Sequence, residues 1–280
     1  MEKLASLLNA QGNWVESVPL IREALDTARA TLGPQHDETL SFICSLAHML
    51  QNLGEDSEAE LLFREALEAR LATGGPQDPR IPFIMNNLGS LLEHQGKLGE
   101  AEQMIVSALE ARRATLGSLH PATLASMSSL ASLLQEQGKL SEAEPLLREA
   151  LEAARTILGP QHLNTLTGLS NLAFMLSAQG KLGEAEVLYR EALASLRAAV
   201  GSQHPHTFAT MGNFAGVLED LGKLGEAEAL FSEAMSGQWR VLGRAHSHTQ
   251  GSYTSLLRVL TARGKTRDVR DVKAQYGGRK

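Results

Sequence analysis

Cysteine is almost missing from this chain. Cys44 is the single one in 280 residues, so no disulfide closes within it, and a reducing compartment such as the cytoplasm is the expected setting. Aromatic residues make up only 4%; with Ala, Leu and Glu abundant, the balance favours helix over sheet. No apolar run reaches the roughly 20 residues that cross a bilayer, and Met1-Glu2-Lys3-Leu4 does not open a signal peptide. A glycine-rich phosphate loop, a nucleophile elbow and a helical HExxH are missing too. Neither an enzyme nor a cofactor is therefore expected.

Charge excludes a further class. Residues 258–280 carry eight Lys or Arg against two Asp, a local +6; the whole chain is −6, which leaves −12 for residues 1–257. An acidic body repels a phosphate backbone, so nucleic acid is not an expected partner. The basic tail over 263–280 reads as a solvated chain end rather than a membrane anchor. Hydrophobic residues at 43% are ample for a folded protein.

What the chain does have is periodicity. Glycines at 12, 54, 96, 138, 180, 222 and 264 are 42 residues apart, and a second set at 33, 75, 117, 159, 201 and 243 keeps the same spacing. Two phase-locked columns define an internal repeat of solenoid type. The units run over about 1–33, 34–75, 76–117, 118–159, 160–201, 202–243 and a degenerate 244–280. Met1 falls inside the first helix of the first unit, which suggests a shortened start.

Each unit reads as two helices. In the fourth, Met127, Leu130, Ala131 and Leu134 lie on one helical face that opens at Pro121 and stops at Gly138. A second helix is expected from Ser141, with Glu144 as its capping-box partner, ending at Leu158-Gly159-Pro160. Small residues align as Ala5, Ala47, Gly89, Ala131, Ala173 and Ala215, and leucines as Leu8, Leu50, Leu92, Leu134, Leu176, Leu218 and Leu260. In the second helices Ala59, Ala101, Ala143, Ala185 and Ala227 form one column and Ala24, Ala66, Ala108, Ala150, Ala192 and Ala234 another. Small residues let helix axes approach closely, so these columns are the expected seams between hairpins. Glu60–Arg64, Glu144–Arg148 and Glu186–Arg190 are expected i,i+4 pairs on a solvated outer face. The last unit departs from the pattern, with Leu257, Val269 and Tyr276 where small residues are expected, which suits a terminal cap.

Two further features carry alternatives. His36, His120, His162, His204 and His246 form a ladder on successive loops. Capping of the next helix is expected of them rather than zinc, although His204-x-His206 and His246-x-His248 could bring four imidazoles close. Cys44 sits on a helix face with no evident activating base, as a groove-lining or half-buried thiol.

These columns resemble the tetratricopeptide repeat, and phrases such as QGKLSEAEPLLREALEAARTILGPQH (137–162) and LHPATL (119–124) are similar to its kinesin light chain group. The resemblance implies an all-α, right-handed superhelical solenoid of antiparallel helix pairs, one domain over 1–280, that binds a protein or peptide as a monomer. It also implies which residues line the concave groove. The second unit offers Ser41, Cys44, His48, Gln51 and Asn52; the third Phe83, Asn86, Ser90, Glu93 and His94. The fourth offers Ser128, Ser132, Gln135 and Glu136, the fifth Ser170 and Phe174, the sixth Glu219 and Asp220, and the seventh Arg258. Asn86 matches the asparagine with which family members hold a peptide backbone; Asn87, Asn171 and Asn213 stand one residue later, and tying one hairpin to the next is the competing role. Phe83 and Phe174 fit either the stack interior or an apolar anchor. Group members that take acidic cargo present several cations in the groove, whereas here carboxylates prevail, so a neutral or basic segment, or a partner helix, is expected. A kinesin light chain-like cargo adaptor and the sensor region of a larger signalling protein are the alternative functions.

Overall fold

The structure is a computed structural model that describes residues 14–244 and 246–276; the expected seam residues Ala5 and Leu8 lie outside them. Among the described residues there are thirteen α-helices and no strand. The chain divides into two compact units, Met1–Lys139 and Leu140–Lys280. The first holds α1 (Trp14–Thr31), α2 (Asp37–Asn52), α3 (Asp56–Gly74), α4 (Ile81–His94), α5 (Leu98–Leu116) and α6 (Pro121–Glu136). The second holds α7 (Leu140–Leu158), α8 (Leu163–Ala178), α9 (Leu182–Ala199), α10 (Pro205–Asp220), α11 (Leu224–Leu242), α12 (Ser247–Ala262) and α13 (Thr266–Tyr276). No helix of the described residues is long and apolar enough to cross a membrane.

Local signals set the helix ends. The even-numbered helices stop in the Gly138 column, where φ lies between 71° and 78°. That left-handed turn lets the following lysine reach back five residues, as in Lys139 N–H to the Leu134 carbonyl at 2.8 Å and Lys181 to Leu176 at 2.9 Å. The histidine ladder opens the next even helices: Nδ1 of His36, His120, His162, His204 and His246 accepts the backbone N–H two residues on, at 3.1–3.3 Å. Thr39, Thr123 and Thr207 donate their hydroxyls to the carbonyls of Gly33, Gly117 and Gly201 at 2.8 Å, which fixes each loop onto its helix. The capping box expected at Ser141 does not form. The helix has already begun at Leu140, and the Glu144 carboxylate takes Arg148 at 2.7 Å and Lys181 at 2.8 Å instead. Charged contacts to the neighbouring hairpin out-compete a local cap.

Packing follows the columns. Ala59, Ala101, Ala143, Ala185 and Ala227 are fully buried, as are Ala47, Ala131, Ala173 and Ala215, and the leucine column is buried from Leu50 to Leu260. Within each unit every helix packs on a sequence neighbour, and even helices also touch, α2 on α4, α4 on α6, α8 on α10 and α10 on α12. One close approach is specific to its repeat: the ring of Phe208 on α10 fills the space that a Cβ at Gly237 on α11 would occupy. At the far end α13 buries no residue, and Trp239 meets Tyr276 edge-on with ring centroids 5.0 Å apart.

The outer face is tied lengthwise. The expected Glu60–Arg64, Glu144–Arg148 and Glu186–Arg190 pairs are present at 2.6–2.9 Å. The same carboxylates also receive a lysine from the next repeat: Lys97 to Glu60, Lys181 to Glu144 and Lys223 to Glu186, at 2.6–2.8 Å. Gln95, Gln137 and Gln179 add amide donors to the carbonyls of Asp56, Leu98 and Leu140, at 3.0–3.3 Å.

Candidate functional site

In the first unit the neighbouring helices α2 and α4 leave a pocket of ≈ 460 Å³ between them. Its floor is apolar: Leu40 and Ile84 are buried, and Cys44 is half-buried. Burial pushes the Cys44 thiol up to about 11, so it stays protonated near neutrality and serves as wall rather than nucleophile. Phe83 forms one side with 53% of its surface exposed, so it belongs to the open face and not to the stack interior.

The pocket's other side is formed by Arg70 and Arg80, members of a four-residue charge network that the spacing did not reveal. Arg70 on α3 is 3% exposed and bonds the Asp37 carboxylate. Arg80, at the start of α4, reaches the other Asp37 oxygen at 2.6 Å and grips the buried Asp78 through two nitrogens at 3.0 Å. Asp78 also accepts the Arg80 backbone N–H at 2.9 Å, standing in the column that the other loops give to histidine. Hydrogen bonds from Arg80 and Arg70 hold the Asp37 carboxyl down at about 2. Two guanidinium groups and two carboxylates cancel, so the network is neutral and cross-linked by several hydrogen bonds. A cross-linked rim pre-shapes a cavity for a ligand.

A second pocket of ≈ 610 Å³ continues toward the C-terminal ends of α2 and α4 and shares His48 and Asn87 with the first. It is polar and acidic. Glu93 and Glu136 both face it, with Ser90, His94 and Asn52 along its edge. Burial and the nearby Glu136 raise the Glu93 carboxyl above the ordinary carboxylate range, against a long hydrogen bond from Ser132 at 3.4 Å. The carboxylate is thus desolvated and faces a like charge.

The other residues expected in the groove divide between the open face and the scaffold. Asn86 is turned into the structure: its Oδ1 accepts from Ser126 at 3.0 Å and its amide reaches Ser129 at 3.4 Å, which ties α4 to α6. Asn171 and Asn213 are exposed. Ser128 is half-buried and donates to the Leu124 carbonyl, Gln135 is half-buried on α6, and Ser132 is exposed beside Glu93. In the second unit Ser170 meets Thr210 at 3.1 Å, joining α8 to α10, while Phe174 is 44% exposed. Glu219 is held by Arg258 through two bonds of 2.7 Å, and Asp220 is exposed. His204 stacks on His206 and His246 on His248, with centroids 5.4 and 5.2 Å apart. Their loop-opening nitrogens are already engaged as caps, and the described residues contain no group of three or more His, Cys, Asp or Glu fit to hold a metal.

Comparison with known proteins gives a consistent picture. A search of curated protein sequences finds no match. Among solved structures, BtubC (BKLC) from P. vanneervenii is 23% identical with a TM-score of 0.71, over 82% of this chain and 92% of that one. A Podosopora anserina putative kinesin light chain with nearly identical TPR-like repeats is 25% identical with a TM-score of 0.65, over 72% of this chain and 96% of that one. The apo form of the quorum sensor NprR from B. thuringiensis is 13% identical with a TM-score of 0.62, over 92% of this chain and 81% of that one. The tetratricopeptide repeat profile matches residues 1–72, 80–156, 128–198 and 164–238. With helix pairs, buried small-residue seams and this profile coinciding over most of its length, the chain belongs to the tetratricopeptide repeat family.

Proposed function

We propose that this protein is a non-catalytic interaction scaffold whose even-helix face receives an extended segment of a partner protein, neutral or basic in charge. The observation that carries the reading is the run of adjoining cavities along α2 and α4, apolar at Phe83 and acidic at Glu93 and Glu136. A neutral or cationic segment gains there, whereas an acidic one meets repulsion from Glu93, which is partly buried, and from Glu136. Hydrogen-exchange footprinting with peptides selected from an array tests it. Protection is expected over α2, α4 and α6; protection confined to the odd helices removes the face from the proposal, and a consistent preference for Asp- and Glu-rich peptides removes the charge preference.

A second reading, a kinesin light chain-like cargo adaptor, is favoured by the likeness to the putative kinesin light chain at 25% identity. Co-purification with a kinesin heavy-chain coiled coil separates it from the general scaffold.

A further inference from the structure

The two cavities on α2 and α4 differ in chemistry but are not separate, since His48 and Asn87 wall both. The first has an apolar floor of Leu40, Cys44 and Ile84 with the open Phe83 ring beside it. Its charges are internally matched, Arg70 and Arg80 by Asp37 and Asp78. It therefore offers apolar area without a net field. The second presents Glu93 and Glu136, for which no cation pair appears among the salt bridges of the described residues; the His94 imidazole in the same lining acts on Glu93 through its charge and lies 3.7 Å from Asp56.

We infer that these cavities form one bipartite subsite for a partner segment that couples a large apolar side chain to a Lys or Arg a few positions away, the apolar group seated between Phe83 and Ile84 and the cation between Glu93 and Glu136. This deepens the scaffold reading and rests on it. The spacing follows from the helices. The cavity linings are centred near Cys44 and Gln51 on α2, and near Ile84 and Leu91 on α4, so the centres are about seven residues, or roughly 10 Å, apart along each axis. An extended chain covers that in about three residues at roughly 3.3 Å each, and the length of a Lys or Arg side chain widens the match to about two to four positions. Charge complementarity fixes the occupant. A carboxylate raised by burial and by a like-charged neighbour gains most from an incoming cation, and the same pair rejects an acidic residue. A second hairpin of this repeat type does not reproduce the arrangement, because Asp78 and Arg80 occur only in the loop before α4, while the other loops place histidine in the Asp78 column.

The test uses the full chain and fluorescence anisotropy with a labelled peptide library on a Ser/Gly background. The library varies one Leu or Trp, one Lys, and the spacing between them. Peptides with both residues two to four positions apart are expected to bind at least tenfold tighter than peptides with either alone or with Glu in place of Lys. Glu93→Gln with Glu136→Gln should abolish the advantage of Lys while retaining that of the apolar residue, with helicity by circular dichroism unchanged. Phe83→Ala should do the reverse. Peptides that bind the even-helix face with no dependence on Lys or on spacing would overturn the bipartite subsite and leave the scaffold reading standing. Absence of binding to that face by every library member would overturn both.

Discussion

Asp37 and Glu93 sit on the same face with opposite electrostatic histories. Asp37 is exposed, yet two guanidinium groups stabilise its ionised form; Glu93 is partly buried beside another carboxylate, which penalises ionisation. The signs of their pH dependence therefore differ. Asp37 has a folded value near 2 against 3.8 when unperturbed, so its contribution to stability is present above 3.8 and is lost as pH falls toward 2. Asp37→Asn should lower the urea midpoint at pH 7 and converge with the wild type near pH 2. Glu93 has a folded value above its ordinary 4.5, so its ionisation destabilises the fold at neutral pH. Glu93→Gln should raise the midpoint at pH 7, and the gain should vanish once the pH falls below 4.5. Equal shifts of the two variants at all pH values would show that neither carboxylate is perturbed by its surroundings. At this scale the sequence was legible only where residues recur. Asn86 matched a family position, but its amide is occupied by Ser126 and Ser129, a pairing 40 and 43 residues away that no local pattern announces. Phe83 and Phe174 were undecided, since helical spacing alone does not tell a seam from a rim.

In one repeat of this protein a large residue on the even helix is matched by a glycine on the odd helix. Three of the six even helices place Leu in this column, at Leu40, Leu124 and Leu166, and the corresponding odd-helix positions hold Ala69, Ala153 and Ser195. In the sixth repeat the leucine becomes Phe208 and the facing position becomes Gly237. Gly237→Ala should destabilise the protein by about 1–3 kcal/mol through overlap with the ring, measured by chemical denaturation. In the Phe208→Leu background the same change should stabilise by up to about 1 kcal/mol, because Ala is the better helix former once the space is open. The same cost in both backgrounds would show that the ring does not set it. Helix boundaries were legible for a related reason: the glycine, histidine and proline signals act within one turn of the chain. The capping box at Ser141 failed because Glu144 has a better use, a lysine 37 residues away, and the lengthwise Lys–Glu and Gln–carbonyl ties escaped a reading confined to i,i+4 neighbours.

On the scale of the whole chain, stability in such repeats is the sum of local terms and nearest-neighbour interfaces. The fold class was therefore legible from period and columns alone, whereas the pocket was not, because it arises where the repeat is broken. A gap in the histidine ladder at Asp78 was the one sign of it. The nearest-neighbour picture predicts an uneven response to opening. The helix α13 buries no residue, so hydrogen exchange should be fastest there among the described helices, with α4, α5, α9 and α10 among the slowest. Uniform protection through α13 would mean that something else covers it.

The ties that join one repeat to the next recur at spacings of 36 and 37 residues within a 42-residue period. Excision or duplication of a whole 42-residue block in the later repeats therefore returns every lysine to an equivalent glutamate and every histidine to an equivalent turn, and the chain length is free to drift. Of the junction of Arg70, Asp37, Arg80 and Asp78, only Arg70 recurs, as Arg112; its three partners have no equivalents to return to. Copy number is negotiable beyond the paired cavities, and any shortened or lengthened descendant that keeps its ligand must inherit residues 37–136 uncut.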